Sequence, residues 1–165
     1  MTRPIDNSQS FPDCLNTEKY EEAAKELLSL IPKEEKERVF GHPQCEISPE
    51  FLGFITTYKA LADLIPRDWT IVDFGASYNP QCYYFKNHKR YIAVEPETGL
   101  PMFKAPNCEI FECTTKEFVL CHMNEVLQDE KVFAICNYVQ KWYGQDSIRI
   151  MKEKFRYVFT FYPEH

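Results

Sequence analysis

The run Thr70-Ile71-Val72-Asp73-Phe74-Gly75 constrains this chain more than any other stretch. Its β-branched residues suit a strand, and the glycine after the acid suits a turn at the strand's end. Asn79 then stands before Pro80, a pair that opens a short helix: the asparagine as cap, the proline at a first position where its preset backbone angle fits and its missing N–H is no loss. Tyr91 to Val94 form a second apolar strand, and Glu95 ends it about 20 residues after Gly75, the separation at which a carboxylate meets ribose hydroxyls in nucleotide-binding folds. The segment thus reads as strand, ligand-facing turn, short helix and acid-tipped strand.

The remainder alternates in the same way. Thr17 to Leu30 has a helical stripe of Ala24, Leu27, Leu28 and Ile31, and Pro32 ends it. Lys33 to Arg38 reads as a charged connector leading to a turn at Gly41-His42-Pro43. Ser48-Pro49-Glu50 starts a second long helix whose apolar face carries Phe51, Ile55, Tyr58, Leu61, Ala62 and Ile65, with Pro66 as its stop. Tyr58 and Phe51 are expected mainly in the core. Pro96 to Asn107 reads as a loop and Cys108 to Cys113 as a third strand. Thr114 or Thr115 caps a helix through Leu127, and Lys131 to Asn137 is a buried central strand. A helix from Gln145 to Lys154 precedes a fifth strand, Tyr157 to Tyr162. Strands alternating with helices predict an α/β fold.

The 165 residues suffice for one domain with its own core. The expected division is a loose arm over 1–16, helices over 17–66 and the sheet-bearing core over 67–165. A net charge of −6 argues against a surface that grips nucleic acid as a whole. The basic groups Lys86, His88, Lys89, Arg90 and Arg149, Lys152, Lys154, Arg156 read as solvated helix faces or ends. There is no apolar run of membrane-spanning length, and no signal peptide precedes the seven cysteines, so a reducing cytoplasm is expected. Cys108, Cys113, Cys121 and His122 lack the paired Cys-x-x-Cys spacing of structural zinc sites. Core thiols are expected, and no metal.

On Asp73, Gly75 and Glu95 the chain resembles the class I S-adenosylmethionine-dependent methyltransferases. Members carry an acid-x-Gly-x-Gly-x-Gly loop after the first strand and an acid at the end of the second. Here Ser77 and Asn79 replace the other two glycines; serine is small, and asparagine tolerates left-handed backbone angles, so the turn can persist. The resemblance implies a three-layer, Rossmann-like, mostly parallel sheet of about five strands in the order 3-2-1-4-5, with extra N-terminal helices.

It further implies S-adenosylmethionine as a small-molecule cofactor, held by Asp73, Gly75, Ala76 and Ser77, with Glu95 on the ribose and Thr114 near the adenine. Amino-methylating relatives have an Asp/Asn-Pro-Pro-aromatic loop after the fourth strand; Asn137 and Tyr138 echo its ends without the prolines. They are the acceptor-loop candidates, and the acceptor itself is not named by any residue. A final two-strand hairpin of the family is missing from the sequence, which leaves the fifth strand to be covered by the N-terminal helices or by a second copy in a homodimer.

Three function classes follow. The first is a methyltransferase of unknown acceptor. The second is a non-catalytic module of the same fold that binds a nucleotide-type ligand or a protein partner. The third, an NAD-type oxidoreductase, lacks the full Gly-x-Gly-x-x-Gly fingerprint. The tripeptide Asp73-Phe74-Gly75 does not make a kinase, because no glycine-rich nucleotide loop or His-Arg-Asp loop accompanies it.

Overall fold

The computed structural model describes residues 17–41, 49–126, 128, 131–136 and 145–160. Five strands, β1 (Thr70–Phe74), β2 (Arg90–Val94), β3 (Cys108–Phe111), β4 (Val132–Cys136) and β5 (Tyr157–Thr160), form one sheet in the order β3-β2-β1-β4-β5. All four pairings are parallel, so the α/β reading and the order 3-2-1-4-5 both hold. All five residues of β1 are buried, as expected of a central parallel strand covered on both faces.

Two helical layers provide that cover. On one face lie α1 (Thr17–Leu30), α3 (Pro49–Leu64) and a 3-10 helix, Pro80–Phe85. Leu27, Ile31, Ile55, Tyr58, Leu61 and Ile65 from the long helices pack with Ile71, Tyr91, Ala93 and Ile135 of the sheet. These are the apolar stripes of the sequence.

The opposite face is covered by α4, a helical run over 115–126 whose middle, Phe118–His122, is a π segment, and by α5 (Gln145–Lys154). There Val72, Phe74, Ile92, Val94 and Ala134 meet Phe118, Ile148, Met151 and Phe155. Phe74 is central, with its ring edge-on to Phe118 and to Phe155 at centroid distances of 5.7 Å each.

The sequence reading differs from the structure in four places; one is the basic group at 86–90, where His88 is buried with Nε2 2.9 Å from the Ile65 carbonyl and Arg90 begins β2. Lys33 to Arg38 is not a connector but belongs to α2 (Lys33–Phe40), in which Pro32 is the N-cap, Glu34 and Glu35 occupy the first turn and Arg38 the last. This charge order suits the helix dipole, and Val39 gives the helix one fully buried anchor. Asn79 does precede the helix at Pro80, but its side chain makes no capping bond and the helix is of the tighter 3-10 type. The third strand stops at Phe111 rather than Cys113. As expected, no helix lies between β2 and β3. No described helix is long and apolar enough to cross a membrane.

Candidate functional site

In a parallel sheet of this order the chain leaves β1 toward β2 and β3 on one side and reaches β4 and β5 on the other. The crevice beyond the carboxyl ends of β1 and β4 is where ligands of open α/β sheets bind. The loop leaving β1 forms one wall. Gly75, Ser77 and Asn79 all have left-handed backbone angles, with φ of 77°, 56° and 66°. These are the three alternating positions of the glycine-rich pattern, and all three are left-handed with only one glycine among them. Each left-handed non-glycine residue costs on the order of 1–2 kcal/mol, less for asparagine.

Internal hydrogen bonds hold that shape. Gly75 and Ala76 donate their N–H groups to the Val94 carbonyl at 2.8 and 3.4 Å, and Asn79 donates to the Ala76 carbonyl at 3.1 Å. The Ser77 N–H reaches Oε2 of Glu95 at 2.8 Å. Glu95 is therefore joined to the loop, and its Oε1 also accepts from the Glu97 N–H at 3.3 Å. The carboxylate is fully buried, while Ser77 is half-buried at the rim.

Asp73 has a different setting. Its side chain points from β1 into the α1/α3 layer, beside Ala93 of β2, whose small side chain leaves room for larger neighbours. Tyr58 of α3 donates to both carboxylate oxygens at 3.1 and 3.2 Å, Gln81 of the 3-10 helix donates to Oδ2 at 2.9 Å, and the Tyr91 hydroxyl donates to the same oxygen. The acid is 0% exposed. Burial raises its pKa to about 6; the three donors work against that rise, and the nearby Glu95 charge adds to it. Gln81 also donates to the Ala76 carbonyl at 3.0 Å, so the buried acid reaches the 75–79 loop through this amide. Tyr58 is accordingly a core residue whose hydroxyl serves Asp73.

Thr114 is the N-cap of α4 and forms a capping box with Glu117: its hydroxyl accepts from the Glu117 N–H at 3.1 Å, and its N–H donates to the Glu117 carboxylate at 2.8 Å. The N–H of Glu95 donates to the Phe111 carbonyl, which sets the end of β2 against the end of β3 below Thr114. The structure thus brings together Gly75, Ala76, Ser77 and Glu95, with Thr114 at the end of the next connection, and turns the Asp73 carboxylate away from them. Asn137 and Tyr138, and with them the acceptor-loop reading, lie outside the described residues, as does the side chain of Phe51.

One feature of this region had no sequence signal. Residues 102–105, in the loop expected only as a connection, form a strap over the 3-10 helix, with Met102, Phe103 and Ala105 buried. Phe103 donates its N–H to the Tyr78 carbonyl at 2.7 Å and accepts from the Asn79 side-chain amide at 3.0 Å. From the far side, Arg38 of α2 donates to the Met102 carbonyl at 2.7 Å and Glu35 accepts from the Lys104 N–H at 3.0 Å. The Arg38 hydrogen bond holds the Glu35 carboxyl below the usual range. The strap ties α2 to the loop whose shape defines the site.

No family model and no curated protein matches the chain. Among solved structures it is similar to a candidate type II methyltransferase from Anaeromyxobacter dehalogenans, at 12% identity and a TM-score of 0.47, over 64% of this chain and 46% of that one. The chain spans less than half the length of that protein. The α/β architecture itself rests on the strand order and pairing. Among the described residues no three His, Cys, Asp or Glu side chains are grouped to hold a metal ion.

Proposed function

We propose that the chain binds S-adenosylmethionine, or a ligand of the same adenosine shape, at the carboxyl ends of β1 and β2, and transfers its methyl group to an acceptor. One observation carries this reading: Gly75, Ser77 and Asn79 keep three left-handed angles at alternate positions although two of them are not glycine. Strain of this kind persists where the surroundings impose it, and it concentrates at ligand-holding turns. Glu95, closing the loop from β2, supplies the acid that a ribose needs.

The residues fit such a ligand in part. The backbone of 75–77 would face its amino-acid end, Glu95 its ribose hydroxyls and Thr114 its adenine. Asp73 does not fit as a direct contact, because its carboxylate is spent on Tyr58, Gln81 and Tyr91. It acts at one remove, through Gln81, on the position of the Ala76 carbonyl. The ligand supplies an electrophilic methyl on a sulfonium; the protein's task is to align it with a nucleophile, and a dedicated base is not always required.

The second reading, a non-catalytic module of the same fold that binds a nucleotide-type ligand or a protein partner, is favoured by how completely the loop satisfies its own N–H groups at Gly75, Ala76, Ser77 and Asn79, since those donors are then not spent on a methyl donor. Calorimetry with S-adenosylmethionine and S-adenosylhomocysteine tests both. Binding below millimolar concentration is expected, and Glu95→Ala weakens it about tenfold or more, the loss of a charge-assisted hydrogen bond. Absence of heat with either ligand, in a protein shown to be folded, overturns the proposal. Binding without turnover on any acceptor leaves the second reading.

A further inference from the structure

We propose that Glu35 and Arg38 of α2 are positioning residues for the 75–79 loop, which they hold in its left-handed shape by gripping the backbone of the 102–105 strap. The effect on a bound ligand rests on the reading given under Proposed function; the grip itself rests on hydrogen bonds.

The two side chains act as one unit. Arg38 donates from Nε and Nη2 to the two carboxylate oxygens of Glu35 at 2.9 and 2.8 Å, three residues away on the same helix. The same Nη2 donates to the Met102 carbonyl at 2.7 Å, and the Glu35 oxygen beside it accepts from the Lys104 N–H at 3.0 Å. An ion pair with side chains 49% and 22% exposed adds little stability by itself. Its use here is to present a donor and an acceptor side by side to a C=O and an N–H two residues apart, as the edge of a neighbouring strand would. Val39, fully buried and next in sequence to Arg38, anchors α2 in the core and gives the grip a firm base.

Between the two gripped residues lies Phe103, 1% exposed, whose backbone groups serve the loop instead. Its N–H donates to the Tyr78 carbonyl at 2.7 Å, and its carbonyl accepts from the Asn79 side-chain amide at 3.0 Å. The other acceptor of that amide is the sulfur of Cys108 at 3.5 Å, a weaker one, and Asn79 Oδ1 has no hydrogen-bond partner among the described residues. Phe103 is thus the main anchor of the Asn79 side chain, and Asn79 holds the last of the three left-handed angles. Such an angle persists where its surroundings impose it. The strap also accepts a hydrogen bond from the Tyr83 hydroxyl at the Lys104 carbonyl and donates one from the Ala105 N–H to Cys82 Sγ, at 3.2 and 3.3 Å. Those partners belong to the 3-10 helix that continues the loop, whereas the α2 grip comes from a different part of the chain.

The test follows amide hydrogen exchange by NMR on the full chain without ligand. It compares wild type with Arg38→Ala, Glu35→Ala, the two together, and Lys33→Ala, which breaks the Lys33–Glu37 ion pair elsewhere on the same helix. Arg38→Ala and Glu35→Ala are each expected to speed exchange at Phe103 and Asn79 by about fivefold or more, the worth of one hydrogen bond, and to shift the Asn79 side-chain amide. The double variant should go little beyond either single one, because the pair works as a unit. Ile71 and Ile92 in the strands should exchange as in wild type, and Lys33→Ala should change nothing at the loop. Calorimetry with S-adenosylhomocysteine should then read an affinity about fivefold weaker in the Arg38 and Glu35 variants alone. Unchanged exchange at Phe103 and Asn79 overturns the inference; so does equal acceleration at Ile71 and Ile92, which marks general destabilisation, and so does an affinity equal to that of wild type. A wild type that gives no heat with this ligand overturns the ligand reading instead, and the exchange comparison still decides whether α2 sets the loop.

Discussion

The two faces of the sheet solve the burial problem in opposite ways. Toward α4 and α5 the strands present Val72, Phe74, Ile92, Val94 and Ala134 to an apolar, aromatic layer. Toward α1 and α3 the same strands carry a buried acid, and around it Tyr58, Tyr91, Gln81 and Asn79 place polar atoms at full or nearly full burial. An ion buried this way is tolerated only when hydrogen-bonded, and here the chain of bonds runs from Asp73 through Gln81 to the 75–79 loop. Both faces bury apolar side chains, and the α1/α3 face also holds a loop in a strained shape.

The comparison predicts different responses on the two sides. The largest effect falls on the apolar face: Phe74→Ala removes a ring packed between Phe118 and Phe155 and should cost about 3–5 kcal/mol in chemical denaturation, with the pH dependence of stability unchanged. An equal loss of the pH dependence would mean that the faces are not separable.

On the polar face the effect depends on pH. The folded-state pKa of Asp73, raised to about 6 from 3.8, means that its contribution to stability is fully present below the unfolded value and is lost as pH rises through the folded one. Between about pH 5 and about pH 7.5 this amounts to a loss on the order of 1 kcal/mol. Glu35, Asp68 and Glu117 have lowered pKa values and act in the opposite sense, losing their contribution as pH falls. The informative measurement is therefore the difference between wild type and Asp73→Asn. The variant should gain about that amount on wild type between the two pH values; a constant difference would show that Asp73 does not titrate there.

The smallest effect concerns the loop. Ser77→Gly relieves a left-handed serine with φ of 56° and should stabilise the protein by about 1 kcal/mol while leaving the Glu95 contact, made through a backbone N–H, in place. Destabilisation would mean that the serine side chain supports the turn.

Much of the fold could be read from residues because its signals are local. Periodicity and prolines marked α1, α3 and α5, and apolar runs marked β1, β2 and β4. The α2 helix was missed because seven of its eight residues, Lys33 to Val39, contain one apolar side chain, so no stripe announces it. At the site, Glu95 and the loop from Gly75 to Asn79 were legible through spacing and turn chemistry. The direction of Asp73 was not: whether a strand residue faces ligand or core depends on Ala93, Tyr58 and Tyr91, which are set by sheet register and helix packing. The strap is likewise a product of long-range contacts, with Glu35 bonding Lys104 across 69 residues.

The central claim is that a ligand is held by the loop of the polar face at the carboxyl ends of β1 and β2. Amide NMR of the labelled protein titrated with S-adenosylhomocysteine tests it most directly. The account predicts shifts at Gly75, Ser77, Tyr78 and Glu97, with Ile148, Met151 and Phe155 on the apolar face unmoved; a spectrum unchanged at saturating ligand, or shifts confined to the apolar face, would contradict it.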